Sequence, residues 1–180
     1  MKDRQTQIIE AAIHLILRDG VAVSTAAIAK AADVSNGTLF NTFANKQDLI
    51  DSIYLAAKTG MFEALTHSGD APFDRETLYS NWCDYLEWAR RVPHHRQIMH
   101  LLLDAGLVSP TMRGTVDRLG ERYWLWMIDA VAQGVIRGPS VEYVARLLFF
   151  HLDLVIDMAL EGDDEALAFD MLCRSIGLSK

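Results

Sequence analysis

Residues 24–46, STAAIAKAADVSNGTLFNTFANK, have the pattern of two short helices joined by a tight turn and followed by the start of a third helix. Ser24 or Thr25 can cap the first helix, whose apolar positions recur four residues apart. Asp33 then allows the chain to turn, because aspartate is one of the few residues other than glycine that tolerate the left-handed backbone conformation. The stretch therefore predicts a helix-turn-helix unit, an arrangement that reads duplex DNA.

The second helix of this unit is expected to begin after Ser35, which can cap it. Leu39 and Phe43 are four residues apart and are expected to face the core, with Phe40 beside them. The outward face then carries amides, hydroxyls and a glycine but no charge: Asn36, Gly37, Thr38, Asn41 and Thr42. This uncharged surface is the predicted reading face.

A third helix is expected to follow, because Asn45 and Asp48 have the spacing of a helix cap, with Lys46 beside the N-terminus. An earlier helix over about residues 4–19, stopped by Gly20, supplies the apolar side chains that close a small core. The N-terminal region is therefore predicted to be a compact domain of three helices.

The same region resembles the N-terminal domain of the TetR family of bacterial transcriptional regulators, whose pattern is roughly T-x-x-x-I-A-x-x-A-G-V-S-x-G-x-L-Y-x-Y-F-x-S-K-x-x-L. The matching positions are Thr25, Ile28, Ala29, Ala32, Val34, Ser35, Gly37, Leu39, Phe43, Lys46 and Leu49. The chain departs from the pattern where Asp33 replaces the turn glycine, Phe40 replaces tyrosine, and Thr42 replaces a larger aromatic residue or histidine. The resemblance implies an all-α fold of about nine helices, with a helix-turn-helix domain followed by a helical domain for ligand binding and dimerisation.

Base contacts are expected from Asn36, Thr38, Asn41 and Thr42, with Gly37 allowing close approach of the backbone. Asparagine can bond adenine through both amide atoms, and the methyl group of threonine can meet that of thymine. The alternative is that the two asparagines are only solvated polar residues. The face has no Arg or Lys for the common guanine contact, so guanine reading would need another segment, such as the arm with Lys2 and Arg4.

Phosphate contacts are expected from Thr25, Lys46 and the backbone amides at the start of the second short helix. Phe40 stands at the position of the family's tyrosine but lacks the hydroxyl for a phosphate contact. The predicted DNA-binding set is Thr25, Ser35, Asn36, Gly37, Thr38, Phe40, Asn41, Thr42 and Lys46.

The charge of the chain is unevenly distributed. The 180 residues are 51% hydrophobic and 23% charged, with a formal net charge of -7. Residues 1–60 contain six basic and six acidic side chains, whereas residues 61–180 contain 11 and 18. The N-terminal residues are therefore neutral overall, which predicts a shallow salt dependence of DNA affinity. The length of the chain makes two domains plausible, and the resemblance implies that residues 1–60 bind DNA and residues 61–180 bind an effector and dimerise.

Helical periodicity recurs through the rest of the chain without strand-like alternation, which also indicates an all-α protein. The helix that begins near Lys46 is expected to continue into the second domain, and residues 67–74, HSGDAPFD, have the composition of a linker. The sequence contains no membrane-spanning apolar run or signal peptide, so a cytoplasmic location is expected. Cys83 and Cys173 are expected to pack in a reducing compartment.

The penultimate helix, expected from Ser140 to about Glu161, is apolar around most of its circumference. One chain cannot easily cover that much apolar surface, so we expect a homodimer through this helix and the last one. The expected interface residues are Leu148, Leu152, Val155, Ile156, Leu167 and Met171. The alternative is a monomer in which this helix is buried at the centre.

Aromatic and apolar residues lie on the helices that surround a small-molecule cavity in the TetR family. The candidate lining residues are Trp82, Tyr85, Met99, His100, Leu102, Tyr123, Met127 and His151. The alternative is that they form an ordinary filled core. His94, His95 and His100 lack metal-ligand spacing, and no cofactor motif or catalytic constellation is present, so neither a metal nor an enzymatic activity is expected.

The interpretation is a homodimeric transcriptional regulator that binds a palindromic operator in double-stranded DNA. Repression is the family default, and a small hydrophobic or aromatic effector is expected to release the operator. The alternative is a helical protein–protein interaction module in which DNA binding is lost or incidental.

Overall fold

The computed structural model describes residues 3–65 and 71–178, which form ten α-helices and no strand. The helices are α1 (Arg4–Asp19), α2 (Thr25–Ala31), α3 (Asn36–Thr42), α4 (Lys46–Ala64), α5 (Arg75–Arg91), α6 (Pro93–Asp104), α7 (Pro110–Leu119), α8 (Glu121–Ala132), α9 (Val141–Asp157) and α10 (Gly162–Ser175). The all-α prediction is confirmed. Lys2 and residues 67–70 of the expected linker lie outside the described residues.

The described chain divides into two compact units. The first contains residues 3–60 and Val92–Asp117; in it α1 packs against α2 and α6, and α2 packs against α3. The second contains Met61–Arg91 and residues 118–178, apart from the undescribed stretch; in it α9 packs against α5, α8 and α10. Residues 92–117 therefore fold with the N-terminal helices, and the assignment of separate functions to residues 1–60 and 61–180 stays a prediction.

Local sequence signals set the starts of several helices. The side chains of Asp74, Ser109 and Ser140 each accept a hydrogen bond from the backbone amide three residues later, at 2.8, 3.1 and 3.2 Å. Pro93 and Pro110 each occupy the first position of a helix, where a missing amide hydrogen costs nothing.

The described chain has ten helices instead of about nine, because the apolar residues from Met112 to Ala130, whose spacing predicts one helix, are divided between α7 and α8. The break falls at Gly120, where the backbone has φ -88° and ψ 2°. A Cβ atom at this position would lie 2.4 Å from Cζ of Phe62, which is too close. The ring of Phe62 therefore leaves no room for a side chain at the break, a packing contact that helical periodicity does not reveal.

The expected long helix is present as α4, which begins in the first unit and ends in the second. The apolar residues along one side of it are buried: Leu49, Ile50, Ile53, Tyr54, Ala57 and Met61 on the helix, and Leu65 just after it. None of the helices in the described ranges is long and apolar enough to cross a membrane.

Candidate nucleic-acid interface

The turn between α2 and α3 has the geometry that the sequence predicted. Asp33 has a φ of 52°, which lies in the left-handed region. The amide of Val34 donates to the carbonyl oxygen of Ala29 at 3.0 Å, and Nε2 of Gln7 on α1 donates to the carbonyl oxygen of Ala32 at 2.8 Å. These bonds fix the end of α2 and set the direction in which α3 leaves.

Ser35 caps α3, as expected. Its Oγ atom accepts a hydrogen bond from the amide of Thr38 at 3.0 Å, and the hydroxyl groups of Ser35 and Thr38 share another at 2.9 Å. The hydroxyl of Thr42 donates to the carbonyl oxygen of Thr38 at 2.9 Å. Thr42 has therefore used its donor, and it can meet a base only as an acceptor or through its methyl group.

The two faces of α3 differ as the spacing predicted. Leu39 and Phe43 are 0% and 1% exposed and hold the helix against the first unit. Asn36, Gly37 and Asn41 are exposed. Thr38 and Thr42 are half-buried. Two amide side chains and a glycine thus form the most accessible part of the reading face.

The ring of Phe40 does not face the core, and the prediction from the sequence that it would do so is wrong. The side chain is 48% exposed. At about 100° per residue, Phe40 lies about 100° from Leu39 around the helix axis, whereas Phe43 lies only about 40° from Leu39. A helix of two turns presents one narrow buried edge, and Phe40 falls outside it. It is available for an apolar contact beside the reading face.

Lys46 has a local role that its position beside a helix start did not reveal. Its Nζ atom donates hydrogen bonds to the carbonyl oxygens of Val21 and Val23 at 2.9 and 2.7 Å. The chain is thereby held just before α2, where Ser24, rather than Thr25, caps the helix by accepting a backbone amide hydrogen at 3.2 Å. Two of the three N–H groups of Lys46 are engaged within the protein.

Lys30 lies next to the reading face, although the sequence analysis assigned it no role. It is exposed, and it lines an open groove of about 470 Å³ with Ala26, Ala29, Asp33, Val34, Ser35 and Asn36. Its position in the last turn of α2, just before the turn to α3, is the sequence signal that could have indicated a cation beside the reading face.

The predicted lining residues are divided between the two units. Trp82, Tyr85, Tyr123, Met127 and His151 belong to the second unit, and Met99, His100 and Leu102 to the first. Within the second unit the ring centroids of Tyr85 and Phe149, and those of Phe149 and Tyr123, are 5.9 Å apart. Burial raises the pKa of the Tyr123 phenol. These aromatic rings form one contiguous row.

Three of the expected interface residues are buried by their own chain, since Leu148, Leu152 and Val155 are 1%, 6% and 1% exposed. Ile156 is half-buried. The exposed apolar residues of the two last helices are Tyr143, Phe150 and Leu154 on α9 and Leu167 and Met171 on α10, which we call the α9–α10 apolar face. The sequence shows that α9 is apolar around most of its circumference, but it does not show which side of the helix is covered by the rest of the same chain.

The histidines near α6 pair with α1. The Nε2 atom of His95 lies 3.0 Å from Oε1 of Glu10, and the rings of His94 and His14 meet edge to face at 4.5 Å. In the parts of the chain that the structure describes, no group of three or more His, Cys, Asp or Glu residues is placed to hold a metal ion.

The comparisons with known proteins agree with this geometry. Residues 8–53 match the family model described as bacterial regulatory proteins, tetR family. The fold is similar to that of a TetR family transcription regulator from Marinobacter aquaeolei VT8, with a TM-score of 0.82, 19% identity, and coverage of 96% of this chain and 95% of that one. A TetR-family transcriptional regulator from Haemophilus influenzae RD gives a TM-score of 0.76, 22% identity, and coverage of 97% and 99%. The multidrug binding protein EbrR complexed with imidazole gives 0.65, 20%, and coverage of 100% and 98%.

The turn between α2 and α3 and the exposed face of α3 define a helix-turn-helix unit, the kind of structure that reads duplex DNA. The N-terminal helices carry the sequence pattern of the bacterial regulatory proteins of the tetR family, and the fold of the chain is similar to that of TetR family regulators.

Proposed function

We propose that this protein is a homodimeric, ligand-responsive transcriptional repressor that binds a palindromic operator and is released by a small hydrophobic or aromatic effector. The observation that carries the proposal is the uncharged surface of α3. Asn36, Gly37 and Asn41 are exposed on a helix that Leu39 and Phe43 anchor to the core. A surface of amides and a glycine can enter the major groove and reach base edges at close range.

In this proposal, Asn36 and Asn41 contact adenine, and Thr42 contacts the methyl group of thymine. Phosphate contacts come from Thr25 and Lys30 at the two ends of α2, because Lys46 is engaged with backbone carbonyl groups. Few cations therefore contact the backbone of the DNA, and a shallow salt dependence follows.

The α9–α10 apolar face supports a homodimer. Phe150 is 62% exposed, and Leu167 and Met171 are each 54% exposed. Helices α9 and α10 pack against one another, so these residues belong to one pair of helices. A second copy of the same pair would cover them, and the two copies of α3 would then read the two halves of a palindrome.

Release by an effector requires a connection between the effector site and the reading face. Helix α4 follows the reading helix by a few residues and continues into the second unit as one element. A ligand that binds best when the two reading faces are wrongly spaced would lower operator affinity by shifting the population of states. EbrR, which has a similar fold, is described as a multidrug binding protein and supports a ligand-binding role for this chain.

The function is tested by selecting bound sequences from random double-stranded DNA with the full chain. A palindrome is the expected result, and Asn41→Ala should relax the preference at one base pair of each half-site by about 1 to 3 kcal/mol. Gln133→Ala, which removes an exposed amide in the second unit, is the matched control. Failure to enrich any sequence would reject the regulator and favour the protein–protein interaction module.

The homodimer is tested by sedimentation at micromolar concentration. The chain is expected to sediment as a dimer, and Phe150→Glu is expected to sediment as a monomer because a buried unpaired carboxylate opposes assembly. Leu125→Glu is the control, since Leu125 is 54% exposed on α8, outside the α9–α10 apolar face. Equal effects of the two substitutions would contradict the assigned interface.

A further inference from the structure

Two buried polar atoms of α5 have no hydrogen-bond partner: Nε1 of Trp82 and Oδ1 of Asn81. Their side chains belong to residues that are 2% and 3% exposed. The amide nitrogen of Asn81 donates to the carbonyl oxygen of Thr77 at 3.2 Å, so it is the oxygen that is left unused. Buried polar groups in folded proteins nearly always have a partner, and here one donor and one acceptor on consecutive residues lack one.

The surroundings of these atoms are aromatic. The ring of Trp82 lies 5.4 Å from that of Phe169, and Tyr85, Phe149 and Tyr123 form a row with 5.9 Å spacings. Burial raises the pKa of the Tyr123 phenol, whose ring lies 5.9 Å from that of Phe149. A molecule in contact with these groups would meet ring faces and a few neutral polar atoms.

No charged side chain is buried in the described part of the second unit. Among the residues that the structure describes, the buried polar or charged side chains are those of Asp51, Asn81 and Arg96, and the two charged ones belong to the first unit. Arg75 lies over the ring of Phe169, but it pairs with Asp170 at 3.1 Å. A charged ligand would therefore lose its hydration without gaining a counter-charge.

We infer that the effector site of the second unit takes an uncharged aromatic ligand that offers an acceptor to Nε1 of Trp82 and a donor to Oδ1 of Asn81. An aromatic carboxamide has this combination, because its carbonyl oxygen accepts and its N–H groups donate. The inference rests on the proposed effector-binding function of the second unit and specifies the chemistry of its ligand.

The test compares four naphthalene probes of similar size in titration calorimetry with the full chain. They are 2-naphthamide, the anion 2-naphthoate, the cation 2-naphthylmethylammonium and the apolar 2-ethylnaphthalene. The neutral amide is expected to bind at least tenfold more tightly than either ion, because the site offers hydrogen bonds but no counter-charge. Tighter binding of either ion, or binding of none of the four, would overturn the inference.

Two substitutions locate the contacts. Trp82→Phe removes the unpartnered N–H group and should weaken binding of 2-naphthamide about tenfold while leaving 2-ethylnaphthalene nearly unchanged. Trp126→Phe is the matched control, because the indole of Trp126 already donates to the carbonyl oxygen of Ala71 at 2.9 Å. If Trp82→Phe fails to fold, Asn81→Leu removes the unused acceptor and should weaken the amide selectively. Equal loss for the amide and the apolar probe would contradict the assigned contacts.

Failure of this inference can be told apart from failure of the proposed function. The calorimetry needs no DNA, so the preference among the probes is measured whether or not an operator is bound. Conversely, a chain that selects a palindrome but prefers a charged probe would keep the proposed function and lose the ligand assignment.

Discussion

The ammonium group of Lys46 donates a 2.7 Å hydrogen bond to the carbonyl oxygen of Val23, so this cation holds the chain that enters α2. Lys30, by contrast, is exposed on the same helix-turn-helix unit. Lys46 therefore has a structural role, and in the proposed function Lys30 contacts phosphate, a difference that residue type alone does not reveal.

Lys30→Met is predicted to reduce the slope of log affinity against log salt by about 0.9, the value for one lost phosphate contact with B-DNA. Lys46→Met is predicted to leave the slope nearly unchanged and to lower the free energy of unfolding by about 1 to 3 kcal/mol, because two part-buried carbonyl groups lose their donor. Fluorescence anisotropy on the selected operator at several salt concentrations, with urea unfolding in parallel, measures both. A reduced slope for Lys46→Met alone would reverse the assignment.

Asp33→Ala is predicted to lower the free energy of unfolding by about 1 kcal/mol, because alanine is strained at a φ of 52°. Asp33→Gly should change it by no more than about 0.5 kcal/mol, since glycine adopts this conformation freely but has a more disordered unfolded state. Asp129→Ala, at an exposed position inside α8, is the control. Urea unfolding gives the three values, and equal stability of the alanine and glycine variants at position 33 would argue against backbone strain.

Gly120→Ala is predicted to destabilise the protein by about 1 to 3 kcal/mol, since the added methyl group would meet the ring of Phe62. Phe62→Leu shortens that side chain. The double variant should therefore be less destabilised than the sum of the single variants. Thermal and urea unfolding of the four proteins form the double-mutant cycle, in which simple additivity would show that the ring of Phe62 is not the cause of the destabilisation by Gly120→Ala.

The stability of the second unit is predicted to fall at alkaline pH. Burial raises the pKa of Tyr123 above its ordinary value of 10.0, so as the pH rises this phenol ionises in the unfolded chain before it ionises in the folded chain. The stabilisation is fully present below about pH 10, where the phenol is neutral in both states, and is lost as the pH rises further. Tyr123→Phe should flatten this fall, whereas Tyr143→Phe, at a residue that is 53% exposed, should not. The measurement is the free energy of unfolding of the three proteins between about pH 9 and pH 11, and an equal fall in all three would contradict the role of Tyr123.

Features of the helix-turn-helix unit that depend on neighbours in sequence were predictable. Ser35 and Asp33 each act within a few residues of their own position, one by accepting an amide hydrogen and the other by its backbone conformation. The burial of Leu39 and Phe43 follows from a spacing of four in a helix.

Features that depend on distant contacts were not predictable. Lys46 bonds carbonyl groups more than twenty residues earlier, and the ring that leaves no room for a side chain at Gly120 is that of Phe62. The exposure of Phe40 follows from how narrow the buried edge of α3 is, and the burial of Leu148 depends on which side of α9 its own chain covers. Periodicity specifies that a helix has an apolar side, but it does not specify which neighbour covers it.

The grouping of Val92–Asp117 with the N-terminal helices has a consequence for engineering. A chimera made by joining residues 1–60 of this chain to the later residues of a relative would lose the packing of α1 against α6. It would also lose His95, the partner of Glu10. A chimera that takes residues 92–117 from the same protein as residues 1–60 preserves this packing. Such a chimera has three crossover points along the chain, after residues 60, 91 and 117, instead of one.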